Sequence, residues 1–97
     1  MTRAERISTV CDEVKALLIA KNRAYGDSAI NPVRIFSRAD AAEQINVRID
    51  DKLSRIARGT ETDKVAEDTE LDLIGYLILK RVQREPKWIE LPATANK

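Results

Sequence analysis

Apolar residues recur at helical spacing in three stretches of the chain, and this pattern predicts three helices. The first helix runs from about residue 3 to 23, with Thr2 as its N-cap and Glu5 as the capping-box partner; it ends near Gly26. One member of its stripe, Cys11, is expected to be a buried thiol because it lies among apolar positions. The whole stripe comprises Ile7, Val10, Cys11, Val14, Leu17 and Leu18.

A connection at residues 24–37 leads to the second helix, which Ser37 and Asp40 open and Gly59 closes. We expect this connection to be an ordered loop that packs against the helices, because it contains Ile30, Val33, Ile35 and Phe36. Lys52 lies beside the apolar stripe of the helix, as either a snorkelling stem or a buried charge with a partner. That stripe comprises Ala42, Ile45, Ile49, Leu53 and Ile56.

The third helix runs from about Lys64 to Arg84 and is apolar nearly all round between residues 71 and 79. A three-helix unit covers one such face more easily than two, so the second face predicts an oligomer interface. Gly75 lies on that second face and permits close backbone approach. The first face comprises Leu71, Ile74, Leu77 and Ile78, and the second also holds Tyr76 and Leu79.

The tail at residues 85–97 contains two prolines and is therefore expected to be extended rather than helical. Trp88, Ile89 and Leu91 are expected to strap it onto the core or a neighbouring subunit, with a mobile end after Pro92. The prediction is a single all-α domain over residues 1–97, with three main helices, an ordered loop and an extended tail. We expect it to form a homo-oligomeric helical bundle.

Composition excludes several classes of function. The formal net charge is +1 and only four residues are aromatic, which argues against binding nucleic acid by bulk charge or by base stacking. With no His and one Cys, the chain has no Ser-His-Asp triad, no Cys-His pair and no intrachain disulfide. Neither a leader nor an apolar stretch of about 18 residues is present, so we expect no membrane partner and a cytoplasmic location.

Charge is nevertheless sorted along the chain. Residues 21–58 hold eight basic and five acidic side chains, whereas residues 61–72 hold six acidic side chains and one Lys. One interpretation is pairing between helices, in which Arg48, Arg55 or Arg58 meets Glu67 or Asp68. Two further interpretations assign these groups to a ligand or to a metal.

The ligand interpretation begins at residues 21–28, where cations precede a turn. Lys21, Arg23 and Arg34 are suited to phosphate oxygens, Tyr25 to stacking on a base, and Gly26 to the turn. The second helix adds three cations to this candidate binding set, namely Arg48, Lys52 and Arg55. The alternative is a helix end with dipole-compatible cations and a Tyr that packs as core.

The metal interpretation uses carboxylates. Asp68 and Asp72 are four residues apart and project from one helical face, where Asp51 or Asp50 of the second helix could join them around Mg²⁺. No other cofactor is indicated. The alternative is that Asp68 caps the third helix and Asp72 meets an Arg.

Three segments carry a family resemblance: KNRAYGDSAINPVRIFS, VRIDDKLSRIARG and EDTELDLIGYLIL. They resemble phage and prophage proteins of the nucleotide-modification-associated domain group, itself similar to the all-α MazG-like nucleoside-triphosphate pyrophosphohydrolases. The resemblance covers roughly residues 15–82. Aligned on the MazG metal motifs, Asp72 matches the final Asp, Thr69 takes the place of a Glu, and Arg48 and Lys52 bring positive charge.

The leading hypothesis is binding of a phosphorylated nucleotide without catalysis. In a phage context, as the resemblance implies, this would sequester a nucleotide signal of host defence in the host cytoplasm. The enzyme alternative is Mg²⁺-dependent pyrophosphohydrolysis of a (deoxy)nucleoside triphosphate, with Asp51, Asp68 and Asp72 holding the metal. The third hypothesis is a protein-binding module that uses the exposed side of the third helix.

Overall fold

The computed structural model describes residues 1–84, and the part it describes is all-α, as predicted. Helix α1 spans Arg3–Ala24, α2 spans Ala41–Arg58 and α3 spans Asp63–Gln83. Residues 1–84 contain no strand. The expectations for the tail at residues 85–97 lie outside the described residues.

The ends of α1 and α3 follow the sequence signals. The Glu5 backbone N–H donates to Thr2 Oγ1 over 3.1 Å, and the Thr2 N–H donates to Glu5 Oε2 over 2.9 Å, so the predicted capping box is confirmed. Past the end of α1, Gly26 takes the left-handed conformation with φ 61°, which favours glycine. Helix α3 is capped by Thr62, whose hydroxyl accepts from the Val65 N–H. The alternative in which Asp68 caps this helix is wrong, because Asp68 lies inside it.

The start of α2 differs from the prediction, which had Ser37 open the helix together with Asp40. The N-cap is Asp40, whose carboxylate accepts from the Glu43 N–H over 2.8 Å, and the helix begins at Ala41. Ser37 instead accepts from the Ala39 N–H, a local bond that stabilises a turn before the helix. Gly59 ends α2 in the left-handed conformation, as predicted.

Helices α2 and α3 form the packed part of the molecule. Ile45 is fully buried, and Ala41 and Ile49 are buried on the same face of α2. On α3, Thr69 is buried, and its hydroxyl lies 2.9 Å from the Val65 carbonyl oxygen and 3.0 Å from a carboxylate oxygen of Glu61. At the far end of the pair, Lys80 Nζ donates to Asn46 Oδ1 over 2.7 Å.

Helix α1 packs against α3 and, within residues 1–84, does not pack against α2. The two helices approach where a Cβ added to Gly75 would lie 3.5 Å from Leu18 Cδ1, an ordinary van der Waals distance. Gly75 therefore accommodates α1 of its own chain, rather than the other subunit expected from the sequence. Val14 is the one apolar residue of α1 that is buried.

Two expectations of burial are wrong for the described chain. Cys11 is exposed, because the N-terminal half of α1 extends past its contact with α3. In the connection between α1 and α2, Ile30 is half-buried, but Val33 is 74% exposed, Ile35 77% and Phe36 96%. These side chains lack a surface to cover because the two helices that they join do not pack on each other.

Of the three helices within residues 1–84, none is both long and apolar enough to span a bilayer.

Candidate functional site: a cleft between α1 and α3

A cleft of about 420 Å³ opens where the C-terminal half of α1 faces the middle of α3. This volume lies in the range of pockets that hold small molecules. Gly75, at the point where α1 and α3 approach, is one of the residues that line the cleft. Its lining comprises Val14, Leu17, Leu18, Lys21, Asn22, Tyr25, Ser28, Ala29, Arg48, Leu71, Asp72, Gly75, Tyr76 and Leu79.

The lining combines an apolar wall with a polar rim. Leucines of both helices form most of the wall, and Gly75 leaves space beside them. Tyr25 is 69% exposed, so one end of the cleft carries an aromatic ring that is accessible to a ligand. Apolar surface with a few polar groups is typical of a small-molecule site.

Asp72 joins two lysines from different helices at the edge of the cleft. Its Oδ1 accepts a hydrogen bond from Lys21 Nζ of α1 over 3.0 Å, and its Oδ2 lies 3.6 Å from Lys52 Nζ of α2. The Lys52 side chain is only 14% exposed, so its charge is held near the helices rather than in open solvent. Lys52 is thus a largely buried charge with a partner, one of the two alternatives that its position predicted.

The contact with Asp72 also raises the pKa of Lys21. The hydrogen bond from the ammonium to the carboxylate is the main cause, and desolvation of the ammonium opposes it. Lys21 is therefore a cation whose charge is held at the edge of the cleft by Asp72.

A second cation lies above an aromatic ring of the cleft. The guanidinium carbon of Arg48 is 5.9 Å from the centre of the Tyr76 ring, within cation–π range. Since both residues line the cleft, α2 contributes a positive charge to a site made mainly by α1 and α3.

The candidate binding residues divide into three groups. Lys21, Tyr25 and Arg48 line the cleft, and Lys52 reaches it through Asp72. Arg55 instead pairs with Asp51, with its Nε 3.3 Å from Oδ2. The remaining three candidates are not among the residues that line the cleft: Arg23, Gly26 and Arg34.

Sequence reasoning did not select Asn22, Ser28 or Tyr76, which also line the cleft. A signal for Tyr76 was available, because Asp72 and Tyr76 are four residues apart on α3, as are Lys21 of α1 and Tyr25 at the C-cap of that helix. Two such pairs facing each other place a charge and an aromatic ring on each side of one cleft.

The carboxylates do not assemble in the way that a magnesium site requires. Asp68 is exposed, Asp51 pairs with Arg55, and Asp72 is engaged by two lysines. Residues 1–84 contain no group of three or more His, Cys, Asp or Glu side chains that could hold a metal. The described residues therefore do not fit the Mg²⁺ that the MazG-like resemblance implies.

The predicted pairing between helices also takes another form. Among the described residues, neither Glu67 nor Asp68 forms an ion pair with an arginine, and the ion pair between α2 and α3 joins Lys52 to Asp72. The acidic partner on α3 is thus Asp72 rather than Asp68, which lies one turn earlier on the same face of the helix.

Comparison with known proteins finds no matching family model, no matching curated protein and no matching solved structure. The resemblance to nucleotide-modification-associated proteins thus remains an expectation from the sequence motifs. The chemistry of the cleft is the basis of the functional proposal.

Proposed function

We propose that the cleft between α1 and α3 binds a phosphorylated nucleotide and that the protein does not turn it over. One observation carries the proposal: the same 420 Å³ cleft is lined by an accessible tyrosine, an apolar wall and two cations. These features match the parts of a nucleotide. The base has apolar faces that can stack on the tyrosine and contact the wall, and the anionic phosphate can bind the cations.

Each group then has a role that its position suits. Lys21 and Arg48 bind phosphate oxygens from opposite sides, and Lys52 adds positive charge behind Asp72. Tyr25, at the open end, stacks on the base. Arg48 is already held over Tyr76, which reduces the entropy it loses when a phosphate arrives.

Binding without turnover is favoured over hydrolysis because of the state of the carboxylates. Hydrolysis of a phosphoanhydride with Mg²⁺ requires several oxygen ligands around the ion. Asp72 is the one carboxylate of the cleft lining, and two lysines already contact it. A protein that holds a nucleotide without consuming it acts as a sequestering agent, and for a phage-encoded chain the matching role is removal of a nucleotide signal of host defence in the host cytoplasm.

Calorimetry tests this proposal. The panel consists of nucleoside mono-, di- and triphosphates together with cyclic mono- and dinucleotides, titrated with and without Mg²⁺. We expect at least one to bind at micromolar concentration, and Lys21→Gln to weaken it at least ten-fold. Lys15→Gln is the matched control, because Lys15 lies on the same helix, is 69% exposed and does not line the cleft.

Failure of every nucleotide to bind at micromolar concentration would refute the proposal, as would equal effects of the two lysine substitutions. Chromatography of the same samples checks for products. If nucleotide is converted to monophosphate and pyrophosphate, the protein is an enzyme and the pyrophosphohydrolase alternative replaces the proposal.

Exposed apolar residues support association with another protein as a second function. On α3, Leu77 is 47% exposed, Ile78 39% and Val82 50%, and on α1 Ile7 is 58% exposed. We propose a second copy as the partner. The interface would use Leu77 and Ile78, which the sequence pattern placed on the covered face, because the face expected to meet another subunit, with Gly75, Tyr76 and Leu79, lines the cleft. Light scattering at micromolar concentration tests this: Ile78→Lys should lower the measured mass, and a monomeric wild-type protein would contradict it.

A further inference from the structure

Five charged side chains form a row of alternating sign that crosses the three helices. Lys21 Nζ of α1 lies 3.0 Å from Asp72 Oδ1 of α3, and Asp72 Oδ2 lies 3.6 Å from Lys52 Nζ of α2. Lys52 Nζ also lies 3.9 Å from Asp51 Oδ2, which Arg55 Nε contacts at 3.3 Å. Lys21 and Asp72 line the cleft and Lys52 does not, so Lys52 meets the cleft through Asp72.

The carboxylate of Asp72 competes with a phosphate for Lys21. Both are anionic acceptors, and the Lys21 ammonium donates its hydrogen bond to the carboxylate in this structure. When the ammonium turns from Asp72 to a phosphate, the carboxylate loses its nearest cation. The Asp72 side chain is only 32% exposed, so water compensates for that loss incompletely. A second cation beside Asp72 therefore lowers the cost of the exchange.

Lys52 is that second cation. Its ammonium lies beside the other oxygen of Asp72, and its side chain is largely buried, so the helices set its position. Two ammonium groups on one carboxylate also repel each other, which weakens the hold of Asp72 on each of them. Lys52 thus stabilises the state in which Lys21 has left Asp72 for a phosphate.

We infer that Lys52 is a positioning residue of the nucleotide site, which acts through Asp72 to free the Lys21 ammonium for a phosphate. This role requires no contact between Lys52 and the nucleotide. The inference rests on the proposed function and deepens it, because a positive charge behind Asp72 becomes a partner that takes over the carboxylate when the ligand binds.

A double-mutant cycle of Lys52 and Asp72 tests the inference by calorimetry with the nucleotide that binds most tightly in the panel. Lys52→Met removes the charge and keeps most of the stem. It should weaken binding about five-fold, which is about 1 kcal/mol, the scale of a partly exposed ion pair. Asp72→Asn removes the competitor and should bind at least as tightly as the wild type. In the Asp72→Asn background, Lys52→Met should change the affinity less than about two-fold.

Arg55→Met is the matched control. It removes one positive charge from the same helix, at the end of the row where Arg55 contacts Asp51, and Arg55 does not line the cleft. The affinity should not change. Lys52→Arg keeps the charge and should retain most of the affinity that Lys52→Met loses. Thermal denaturation verifies that each variant is folded, and Lys52→Gln replaces Lys52→Met if the latter is not.

The outcomes separate this inference from the proposed function. If Lys52→Met has no effect, weakens binding equally in both backgrounds, or weakens it no more than Arg55→Met does, the inference is overturned and nucleotide binding stands. Loss of binding in Asp72→Asn also overturns it, because Asp72 would then support the ligand rather than compete with it. If no nucleotide binds to the wild type, the proposed function fails and the inference falls with it.

Discussion

The two helix contacts of this chain are built differently. Between α2 and α3, Ile45 and Ile49 are buried and Lys80 donates to Asn46 at the end of the contact. Between α1 and α3, a glycine meets a leucine, an ion pair crosses the helices, and a cleft remains. The chain thus concentrates burial in one helix pair and leaves the other contact open, which is the arrangement that a binding site requires.

The largest expected effect comes from the packed contact. Ile45→Ala should lower the free energy of unfolding by about 2–5 kcal/mol, because it removes a side chain that is only 1% exposed and leaves a cavity. Small domains have a total stability of about 5–15 kcal/mol, so the variant should unfold at much lower urea concentration.

Val14→Ala is the matching change in the open contact. Val14→Ala removes two buried carbons, whereas Ile45→Ala removes three, and burial of each carbon stabilises the fold by about 0.8 kcal/mol. No other apolar side chain of α1 is buried. We expect a loss of about 1.5 kcal/mol, measured by the same urea denaturation. Equal losses in the two variants would show that α1 is packed as firmly as α2 and would contradict the comparison.

The next effect is a loss of nucleotide affinity when a side chain fills the cleft. Gly75→Leu adds a side chain where a Cβ alone already lies 3.5 Å from Leu18, so the remaining atoms must enter the cleft or push α1 away. Nucleotide affinity measured by calorimetry should fall at least ten-fold, or about 1.4 kcal/mol, while the helix content measured by circular dichroism is retained.

Gly75→Ala provides the control for that variant. The added methyl group makes an ordinary contact, and alanine stabilises a helix interior by about 0.5–1 kcal/mol relative to glycine. Binding should persist and stability should rise slightly. If Gly75→Leu binds nucleotide as the wild type does, the ligand lies elsewhere.

The smallest effect is the pH dependence of the ion pair across the cleft. Because the pKa of Lys21 is raised in the folded state, its contribution to stability is present below its ordinary value of 10.5 and is lost as the pH rises through the folded value. Lys21 is 45% exposed, so that contribution should be below about 1 kcal/mol.

The measurement is the difference in unfolding free energy between the wild type and Lys21→Met. It should be constant from about pH 7 to 9 and should decline above about pH 10.5. A difference that grows at alkaline pH has the wrong sign and would contradict the Lys21–Asp72 contact.

Local signals explain how much of the fold could be predicted. The start of α1 depends on the capping box of Thr2 and Glu5, and the end of α2 depends on Gly59. These signals act within a few residues, and the structure has both helix ends where they predict them. Ser37 and Asp40 show the limit of such signals, since both are good capping residues and only the bonds formed decide that Asp40 caps α2.

Contacts between helices were harder to predict because a periodic pattern does not specify its partner. The exposure of Cys11 depends on where α1 stops touching α3, which no spacing in the sequence encodes. Within the candidate site, the cations and turn at residues 21–28 predicted two of the residues that line the cleft, Lys21 and Tyr25. The pairing of Lys21 and Lys52 with Asp72 joins three helices and could be seen only in three dimensions.

An NMR titration tests the central claim most directly. Backbone amide shifts are followed in the wild-type protein while the nucleotide that binds most tightly in the calorimetric panel is added. Nucleotide binding in the cleft predicts the largest shifts at residues 21–25 and 72–79, with small shifts in the buried part of α2 around Ile45. Absence of shifts at both cleft segments, or shifts confined to other surfaces, would contradict the account.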